Sequence, residues 1–147
     1  MIEKKNIVIL CYANYCRSPV AEKILSTKNF EALKFSSYGI NPLVGSSMDP
    51  RSEKYLTSNN ILETNHFPRK IQEQILEKSH LVLCMDHQVL MHMNQRYKKF
   101  NNKFRIFSFK EPSIMIEDPY KLEENKYINV MKKIHNACNN LNEIDFS

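Results

Sequence analysis

The feature that most constrains the fold of this chain is a short apolar run near its start, followed directly by a polar loop and a helix start signal. Ile7-Val8-Ile9-Leu10 is a continuous apolar run, typical of a strand buried on both faces of a parallel sheet. Cys11 follows that run, and Arg17-Ser18-Pro19 comes shortly after it. Pro19 suits the first helical position and Ser18 can cap the helix. We therefore expect a strand, a loop and a helix in direct succession.

The rest of the chain alternates apolar runs with segments of helical periodicity, which predicts an α/β fold. Strands are expected over 5–10, 34–38, 80–85 and 105–109, and helices over 19–27, 50–60, 69–78, 87–98 and 123–141. Residues 111–120 read as a loop with two prolines, and 61–68 fit no element. Right-handed crossovers would join the strands into a small doubly wound four-stranded parallel sheet with helices on both faces. A chain of 147 residues predicts one domain, 1–147.

Composition limits which partners, cofactors and cellular location we expect for this chain. The net charge of +5 is spread along the chain, so we expect no nucleic-acid partner, although a positive field can attract phosphorylated substrates. The N-terminal apolar run is too short for a membrane span or a signal segment, which predicts a cytoplasmic protein without membrane insertion. The four cysteines form no CxxC pair and no zinc-type array with histidine, so we expect no metal and no cofactor.

The segment Cys11-Tyr12-Ala13-Asn14-Tyr15-Cys16-Arg17-Ser18-Pro19 lies where a doubly wound sheet binds ligands, beyond the carboxyl end of a strand. Five residues between Cys11 and Arg17 suffice to wrap backbone amides around a tetrahedral oxyanion. The helix N-terminus adds partial positive charge, and the arginine can offer two parallel hydrogen bonds to phosphate oxygens. The same features favour a thiolate, the nucleophilic form of cysteine, and Ser18 can donate its hydroxyl to that sulfur. The segment therefore predicts phosphoryl transfer to Cys11.

Displacement at phosphorus by a thiolate needs an acid to protonate the leaving group. Two aspartates precede a proline, Asp118 and Asp49. Tyr120 could flank a flat aromatic substrate, which favours Asp118. Asp-Pro is also a common turn, so from the residues alone both candidates stay open.

The loop resembles the phosphate loop of the low-molecular-weight protein tyrosine phosphatases. Other stretches match in the family's order over essentially the whole chain: Leu43-Val44-Gly45, Asp49-Pro50-Arg51, His66 with Arg69-Lys70-Ile71, Leu83-Cys84-Met85-Asp86 and Ile116-Glu117-Asp118-Pro119-Tyr120. The resemblance implies a doubly wound fold and hydrolysis of phosphotyrosine in proteins without a cofactor. Asn41-Pro42-Leu43-Val44 is similar to bacterial members associated with tyrosine kinases of capsule and exopolysaccharide export, whereas Leu83–Asp86 is closer to animal-type members. A tyrosine kinase is thus a candidate partner, and a monomer or weak dimer is expected.

The resemblance also implies roles for individual residues. Cys11 would attack phosphorus to form a phosphocysteine, and Arg17 would bind the phosphoryl group. Asp118 would first protonate the leaving phenolate and then activate water. The supporting residues would hold the loop and the thiolate; they are Asn14, Ser18 and His66.

Four loop positions depart from the family or leave their roles open. Many members have glycine where this chain has Ala13, so a positive φ there would strain the loop. Tyr12 and Tyr15 are bulkier than the usual aliphatic residues, and either could form the pocket rim or pack inward. Cys16 could form a reversible disulfide with Cys11 or be buried filler.

Two other functions are compatible with the loop. An arsenate reductase of the same fold would need two further cysteines close together, and only Cys84 and Cys138, far apart in sequence, are available. A non-catalytic phosphotyrosine-binding or phosphocarrier protein would not need both Cys11 and Asp118. Both residues are present, which favours the phosphatase.

Overall fold

The computed structural model describes residues 3–147. Its centre is a four-stranded, all-parallel sheet in the order β2-β1-β3-β4. The strands are β1 (Lys5–Cys11), β2 (Leu33–Gly39), β3 (Ser79–Cys84) and β4 (Phe104–Ile106). The helices are α1 (Arg17–Ser26), α2 (Pro50–Ser58), α3 (Glu73–Lys78), α4 (His87–Arg96) and α5 (Glu124–Asn139), with 3₁₀ turns at Lys98–Lys103 and Glu143–Phe146. The predicted doubly wound sheet is confirmed.

Alternating side chains of β1 divide the core into two layers, because successive residues of a strand point to opposite faces. Ile7 and Ile9 pack on the side of α1, α2 and α5, whereas Val8 and Leu10 pack on the side of α3 and α4. All four side chains are at most 1% exposed. Such double burial explains why the strand is apolar at every position rather than at every second one.

The register brings the carboxyl ends of all four strands to a common edge. Cys11 lies opposite Gly39 of β2, Leu10 lies opposite Cys84 of β3, and Cys84 lies opposite Ile106 of β4. The loops that leave these strands therefore meet above β1, where a doubly wound sheet places its ligand site.

The sequence prediction was wrong at two helix starts. The helix expected over 69–78 begins only at Glu73, because residues 69–71 run extended beside the end of β2: Gly39 N donates to Arg69 O and Ile71 N donates to Gly39 O. The first helix begins at Arg17, with Cys16 rather than Ser18 at the cap. The Ser18 side chain faces the Cys11 sulfur instead.

The last strand is shorter than expected. It ends at Ile106 instead of Phe109, after which Phe107 N donates to Cys84 O and the chain turns away. The longest helix within residues 3–147 is α5, at 16 residues. No helix in that range is both long and apolar enough to cross a bilayer.

Candidate active site

Cys11 ends β1 and Arg17 begins α1, so the five residues between them form the loop predicted from the sequence. Both side chains are buried, each 2% exposed. Residues 11–17 are called the phosphate loop below. The helix that follows directs its N-terminus, with its unpaired amides and partial positive charge, at the loop.

Every carbonyl oxygen from Cys11 to Cys16 accepts a hydrogen bond from a group outside the phosphate loop. The donors, in loop order, are Ile40 N (3.2 Å), Asn41 N (2.8 Å), Leu43 N (3.1 Å), His66 Nε2 (2.8 Å), Asp49 N (3.0 Å) and Ser52 Oγ (2.9 Å). In a trans peptide the N–H points opposite to the carbonyl, and no peptide bond among the described residues is cis. The amides of residues 12–17 therefore point to the inner side of the loop. Such a concave nest of donors is suited to an oxyanion.

Asn14 fixes the turn of this loop. Its φ is +52° and its side chain is fully buried. The side-chain amide donates to Ser18 Oγ (2.8 Å) and Ser37 Oγ (3.1 Å), and its oxygen accepts from Arg69 N (3.0 Å). Asparagine tolerates the left-handed region better than most residues. The backbone strain considered for Ala13 does not arise, because the residue of the phosphate loop with a positive φ is Asn14.

Ser18 lies beside the Cys11 sulfur, with Oγ 2.9 Å from Sγ. Because Asn14 donates to Ser18 Oγ, the serine hydroxyl hydrogen is free to point at the sulfur. A hydroxyl that donates to sulfur stabilises a thiolate more than a thiol. The arrangement agrees with the predicted role of Ser18.

Arg17 is held by a carboxylate that the sequence did not single out as functional. Its Nη1 donates to Asp86 Oδ2 (2.7 Å) and to Ile116 O (2.8 Å). Burial alone would lower the pKa of Arg17, but the neighbouring Cys11 and Asp86 raise it above its ordinary value. The guanidinium thus stays charged and is fixed in direction. A signal for Asp86 was present, since it lies two residues after β3, at the ligand edge of the sheet.

His66 supports the phosphate loop from the irregular segment 61–68. Burial lowers the pKa of His66 below its ordinary value, which favours the neutral ring. Nε2 donates to the carbonyl of Asn14 at 2.8 Å, and a neutral ring has one N–H, so the proton is on Nε2. The histidine therefore fixes the peptide that carries the positive φ.

Asp118 and Cys11 line the same cavity, which has a volume of about 300 Å³. The cavity walls are mostly aromatic or apolar, and they include Tyr12, Tyr15, Pro42, Leu43 and Tyr120. Tyr12 and Tyr120 are half exposed at the mouth, whereas Tyr15 is partly buried and packs edge-on against Tyr120 with ring centres 6.0 Å apart. Of the two readings left open for the loop tyrosines, Tyr12 forms the rim and Tyr15 packs inward against the wall.

Asp49, the rival acid candidate, has a structural task. It caps α2 by accepting from Arg51 N (2.8 Å), and it is 4% exposed. Both its oxygens also bond the Arg51 guanidinium. The carboxylate is committed to these partners, which favours Asp118 as the acid.

All four cysteines are free and buried. Burial, with a smaller contribution from Asp49, raises the pKa of Cys16 to about 12, so its thiol stays protonated. Cys84 and Cys138 are fully buried and lie in the two different core layers. A disulfide relay through that pair is sterically blocked by the sheet between them, which argues against the reductase.

Gly39 is a site residue that the sequence analysis missed. A Cβ placed on it would lie 2.9 Å from Asn14 Cβ, Asn14 N and Tyr12 O. Only glycine lets the end of β2 approach the phosphate loop this closely. A signal was present, since this is one of only two glycines in the chain and it ends a strand next to the site.

Metal ligands form no cluster in the part of the chain that the structure describes: residues 3–147 contain no group of three His, Cys, Asp or Glu side chains placed to hold an ion. The positive charge of the candidate site comes from Arg17 and from backbone amides. Arginine side chains and backbone amides are both groups that bind phosphoryl oxygens.

The fold and this loop define a class: doubly wound α/β proteins that hold a cysteine at the centre of a phosphate-binding loop. The family model described as "Low molecular weight phosphotyrosine protein phosphatase" matches residues 6–144. A relative from Acinetobacter johnsonii, "Low molecular weight protein-tyrosine-phosphatase Ptp", is 30% identical over 121 residues, covering 82% of this chain and 83% of the relative. The chain belongs to the low-molecular-weight phosphotyrosine protein phosphatase family and is a hydrolase of that type.

Solved structures agree on the fold. Wzb from Vibrio vulnificus, in complex with benzylphosphonate, superposes with a TM-score of 0.84 at 22% identity and covers 92% of this chain and 95% of that one. The YwlE arginine phosphatase from Geobacillus stearothermophilus superposes with a TM-score of 0.85 at 20% identity, covering 92% and 88%. At these identities the likeness concerns the fold alone.

Proposed function

We propose that this family member removes phosphate from phosphotyrosine in proteins, with Cys11 as nucleophile, Arg17 as phosphate-binding cation and Asp118 as general acid and base. The observation that carries the proposal is the phosphate loop, in which six consecutive carbonyls bond outward while the Ser18 hydroxyl lies 2.9 Å from the Cys11 sulfur. This arrangement supports an anion site next to a nucleophile. A protein that only binds phosphotyrosine would need the anion site but not the nucleophile.

The reaction proceeds in two displacements. The Cys11 thiolate attacks phosphorus, the bond from phosphorus to the phenolic oxygen breaks, and the Asp118 carboxyl gives that oxygen its proton. Asp118, now a carboxylate, takes a proton from water; the water oxygen attacks phosphorus and the phosphorus–sulfur bond breaks. Inorganic phosphate leaves and the thiolate is restored. Arg17 and the loop amides stabilise the charge on the phosphoryl oxygens in both steps.

The cavity supports an aromatic substrate. Its walls are formed by Tyr12, Tyr15, Leu43 and Tyr120, and its floor is the phosphate loop. A phenyl ring packs well between aromatic side chains. A phosphorylated guanidinium would instead need acceptors for its N–H groups, and Asp118 is the one carboxylate among the residues lining this cavity. Phosphoarginine is therefore a useful comparison substrate, and we expect it to be the poorer one.

The partner follows from the substrate. We propose that a phosphorylated tyrosine kinase of the bacterial polysaccharide-export type is one protein substrate, on the basis of the family resemblance of residues 41–44. We also propose that the enzyme acts in the cytoplasm, where Cys11 stays reduced, as a monomer or weak dimer without a cofactor.

The test is turnover of an aryl phosphate, a phosphotyrosine peptide and phosphoarginine by wild type, Cys11→Ser and Asp118→Asn. Cys11→Ser should abolish turnover, and Asp118→Asn should lower it about 10²–10⁴-fold, the usual contribution of a general acid. Cys138→Ala and Asp145→Asn are matched controls, because both residues lie outside the site. Acid quenching during turnover should trap phosphate on Cys11 in the wild type.

Two results would overturn the proposal. One is a correctly folded wild type with no activity on any aryl phosphate, which would favour a phosphotyrosine-binding or carrier protein. The other is activity that survives Cys11→Ser. Faster hydrolysis of phosphoarginine than of phosphotyrosine peptides would refute the substrate assignment while leaving the mechanism intact.

A further inference from the structure

Asp49 and Arg51 form an ion pair at the start of α2 that contacts both loops of the site. Arg51 Nε donates to Asp49 Oδ1 (3.1 Å) and Nη2 donates to Oδ2 (2.9 Å), a two-point pairing that fixes the plane of the guanidinium. The guanidinium also lies over the ring of Tyr127, 3.9 Å from its centre. Its direction is thus set by a carboxylate and by an aromatic face.

The remaining donors of Arg51 point at the loop that carries Asp118. Nη1 donates to Leu122 O (2.9 Å) and Nη2 donates to Tyr120 O (3.0 Å). Tyr120 is two residues beyond Asp118, with only Pro119 between them. Arg51 therefore holds the backbone immediately after the acid.

The other side of the pair contacts the phosphate loop. Asp49 N donates to Tyr15 O at 3.0 Å, and the Cys16 thiol lies 3.8 Å from Asp49 Oδ2. One ion pair thereby connects the loop that binds phosphate with the loop that carries the acid. A shift of either loop relative to the other would break hydrogen bonds of this pair.

Asp118 itself has little to hold it. Its side chain is exposed, and its one hydrogen bond among the described residues is accepted from Tyr120 N (3.1 Å). Residues 114–119 themselves belong to no helix or strand. The position of the carboxyl group therefore depends on how the backbone is anchored on each side, by Arg17 at Ile116 O and by Arg51 at Tyr120 O.

We propose that Arg51, oriented by Asp49, is a positioning residue that holds Asp118 within reach of the leaving oxygen. The inference rests on the proposed function, since it assumes that Asp118 is the general acid. Arg51 touches no reacting atom in this scheme. It acts through the backbone of Asp118-Pro119-Tyr120.

The experiment measures kcat/KM for two aryl phosphates that differ in their need for an acid. Phenyl phosphate expels a phenolate whose conjugate acid has a pKa of about 10, like tyrosine, and needs protonation. The leaving group of 2,4-dinitrophenyl phosphate is a far more stable anion and leaves without a proton. Both substrates are measured with wild type, Arg51→Ala, Arg51→Lys, Asp118→Asn and the double variant of Arg51→Ala with Asp118→Asn.

Arg51→Ala should lower kcat/KM for phenyl phosphate by about 10–100-fold, the range for a displaced catalytic group. The loss for 2,4-dinitrophenyl phosphate should be several-fold smaller. In the Asp118→Asn background the same substitution should change kcat/KM by less than about 2-fold, because a positioning residue has nothing left to position. Arg51→Lys should retain only part of the activity. The ammonium of lysine keeps the positive charge, but it cannot reproduce the several hydrogen bonds of a planar guanidinium.

Lys110→Ala is the matched control. Lys110 also bonds one carboxylate, that of Asp145, and one backbone carbonyl, that of Asn140, but away from the site. It should leave both rates unchanged. Thermal unfolding of each variant tests whether the proteins compared are folded. If Arg51→Ala does not fold, Arg51→Lys and Arg51→Gln replace it in the comparison of the two substrates.

Equal losses on the two substrates, an undiminished loss in the Asp118→Asn background, or no loss at all would each overturn the positioning role. Failure of the proposed function looks different, because the wild type would then be inactive on both substrates or indifferent to Cys11→Ser.

Discussion

Asn14→Ala is the substitution whose effect on stability follows most directly from the structure. The wild-type side chain makes three hydrogen bonds, to Ser18, Ser37 and the backbone of Arg69, and is 0% exposed. At about 1 kcal/mol net for each bond, their loss costs about 3 kcal/mol. The φ of +52° adds a steric cost for alanine of about 1–2 kcal/mol. We therefore expect Asn14→Ala to destabilise the fold by about 4–5 kcal/mol.

Asn14→Gly separates the two contributions. It loses the same hydrogen bonds but tolerates a positive φ, while its greater freedom in the unfolded chain opposes part of that gain by about 0.4–1 kcal/mol. The glycine variant should thus be more stable than the alanine variant by about 0.5–1 kcal/mol. Both should also bind inorganic phosphate more weakly, because the turn that directs the loop amides inward is no longer fixed.

The assay is urea unfolding of the three proteins at one pH, combined with inhibition of aryl phosphate hydrolysis by inorganic phosphate. Two results would refute the reasoning. An alanine variant within about 1 kcal/mol of wild type would mean that the hydrogen bonds of Asn14 contribute little. An alanine variant more stable than the glycine variant would mean that the positive φ carries no cost.

Four further predictions concern residues in or next to the phosphate loop. Gly39→Ala should destabilise the fold by about 1–3 kcal/mol and weaken phosphate inhibition, since the new Cβ would meet Asn14 and Tyr12 at 2.9 Å; unchanged inhibition would contradict this. The pKa of His66 lies below its ordinary value of 6.5 because of burial, so its contribution to the free energy of unfolding is present above that pH and is lost as the pH falls toward the folded pKa; unfolding curves of His66→Gln should depend less on acid than those of wild type. Since burial raises the pKa of Cys16 to about 12, iodoacetamide near neutral pH should modify Cys11 first, as mass spectrometry of the peptides would show. Peroxide should oxidise Cys11 to a sulfenic acid that condenses with the Cys16 thiol and releases water; accumulation of sulfinic acid on Cys11 without that disulfide would mean that Cys16 is buried filler and not a disulfide partner of Cys11.

The parts of the site that the sequence predicted well are those fixed by neighbours along the chain. A strand that ends at Cys11 and a helix that starts at Arg17 leave few paths for the residues between them. The loop and the two side chains at its ends could therefore be placed from local pattern alone. The all-parallel sheet was predictable for the same reason, because every crossover was visible as an alternation of apolar run and helical periodicity.

Local pattern misled where a distant contact outweighed propensity. Ser18 and Pro19 are a good helix start signal, yet the helix begins at Arg17 because the Ser18 hydroxyl is bound to Asn14 and faces the Cys11 sulfur. Residues 69–71 have helical periodicity with the residues after them, yet they pair with the end of β2. In the first place the competing partners belong to the phosphate loop. In the second they are Gly39 at the end of β2 and the side-chain oxygen of Asn14, which accepts from Arg69 N. The local sequence thus stabilises the site rather than the adjoining helix.

The loop that carries Asp118 shows most clearly what the sequence could not reveal. Each of three cations is paired with a carboxylate and donates to a carbonyl in or beside this loop: Arg17 with Asp86 at Ile116 O, Arg51 with Asp49 at Tyr120 O and Leu122 O, and Lys133 with Glu117 at Met115 O.

Pairing with a carboxylate fixes the direction of each cation and offsets its charge. The remaining N–H groups of the cation then donate to backbone carbonyls that have no partner within a helix or strand. The cations lie on α1, α2 and α5, so the position of Asp118 is set by three separate helices. Substitutions far from Asp118 in sequence can therefore displace it without changing a single residue of its loop. That dependence also explains why a sequence motif is enough to propose Asp118 as the acid, while the structure is needed to identify what holds it in place.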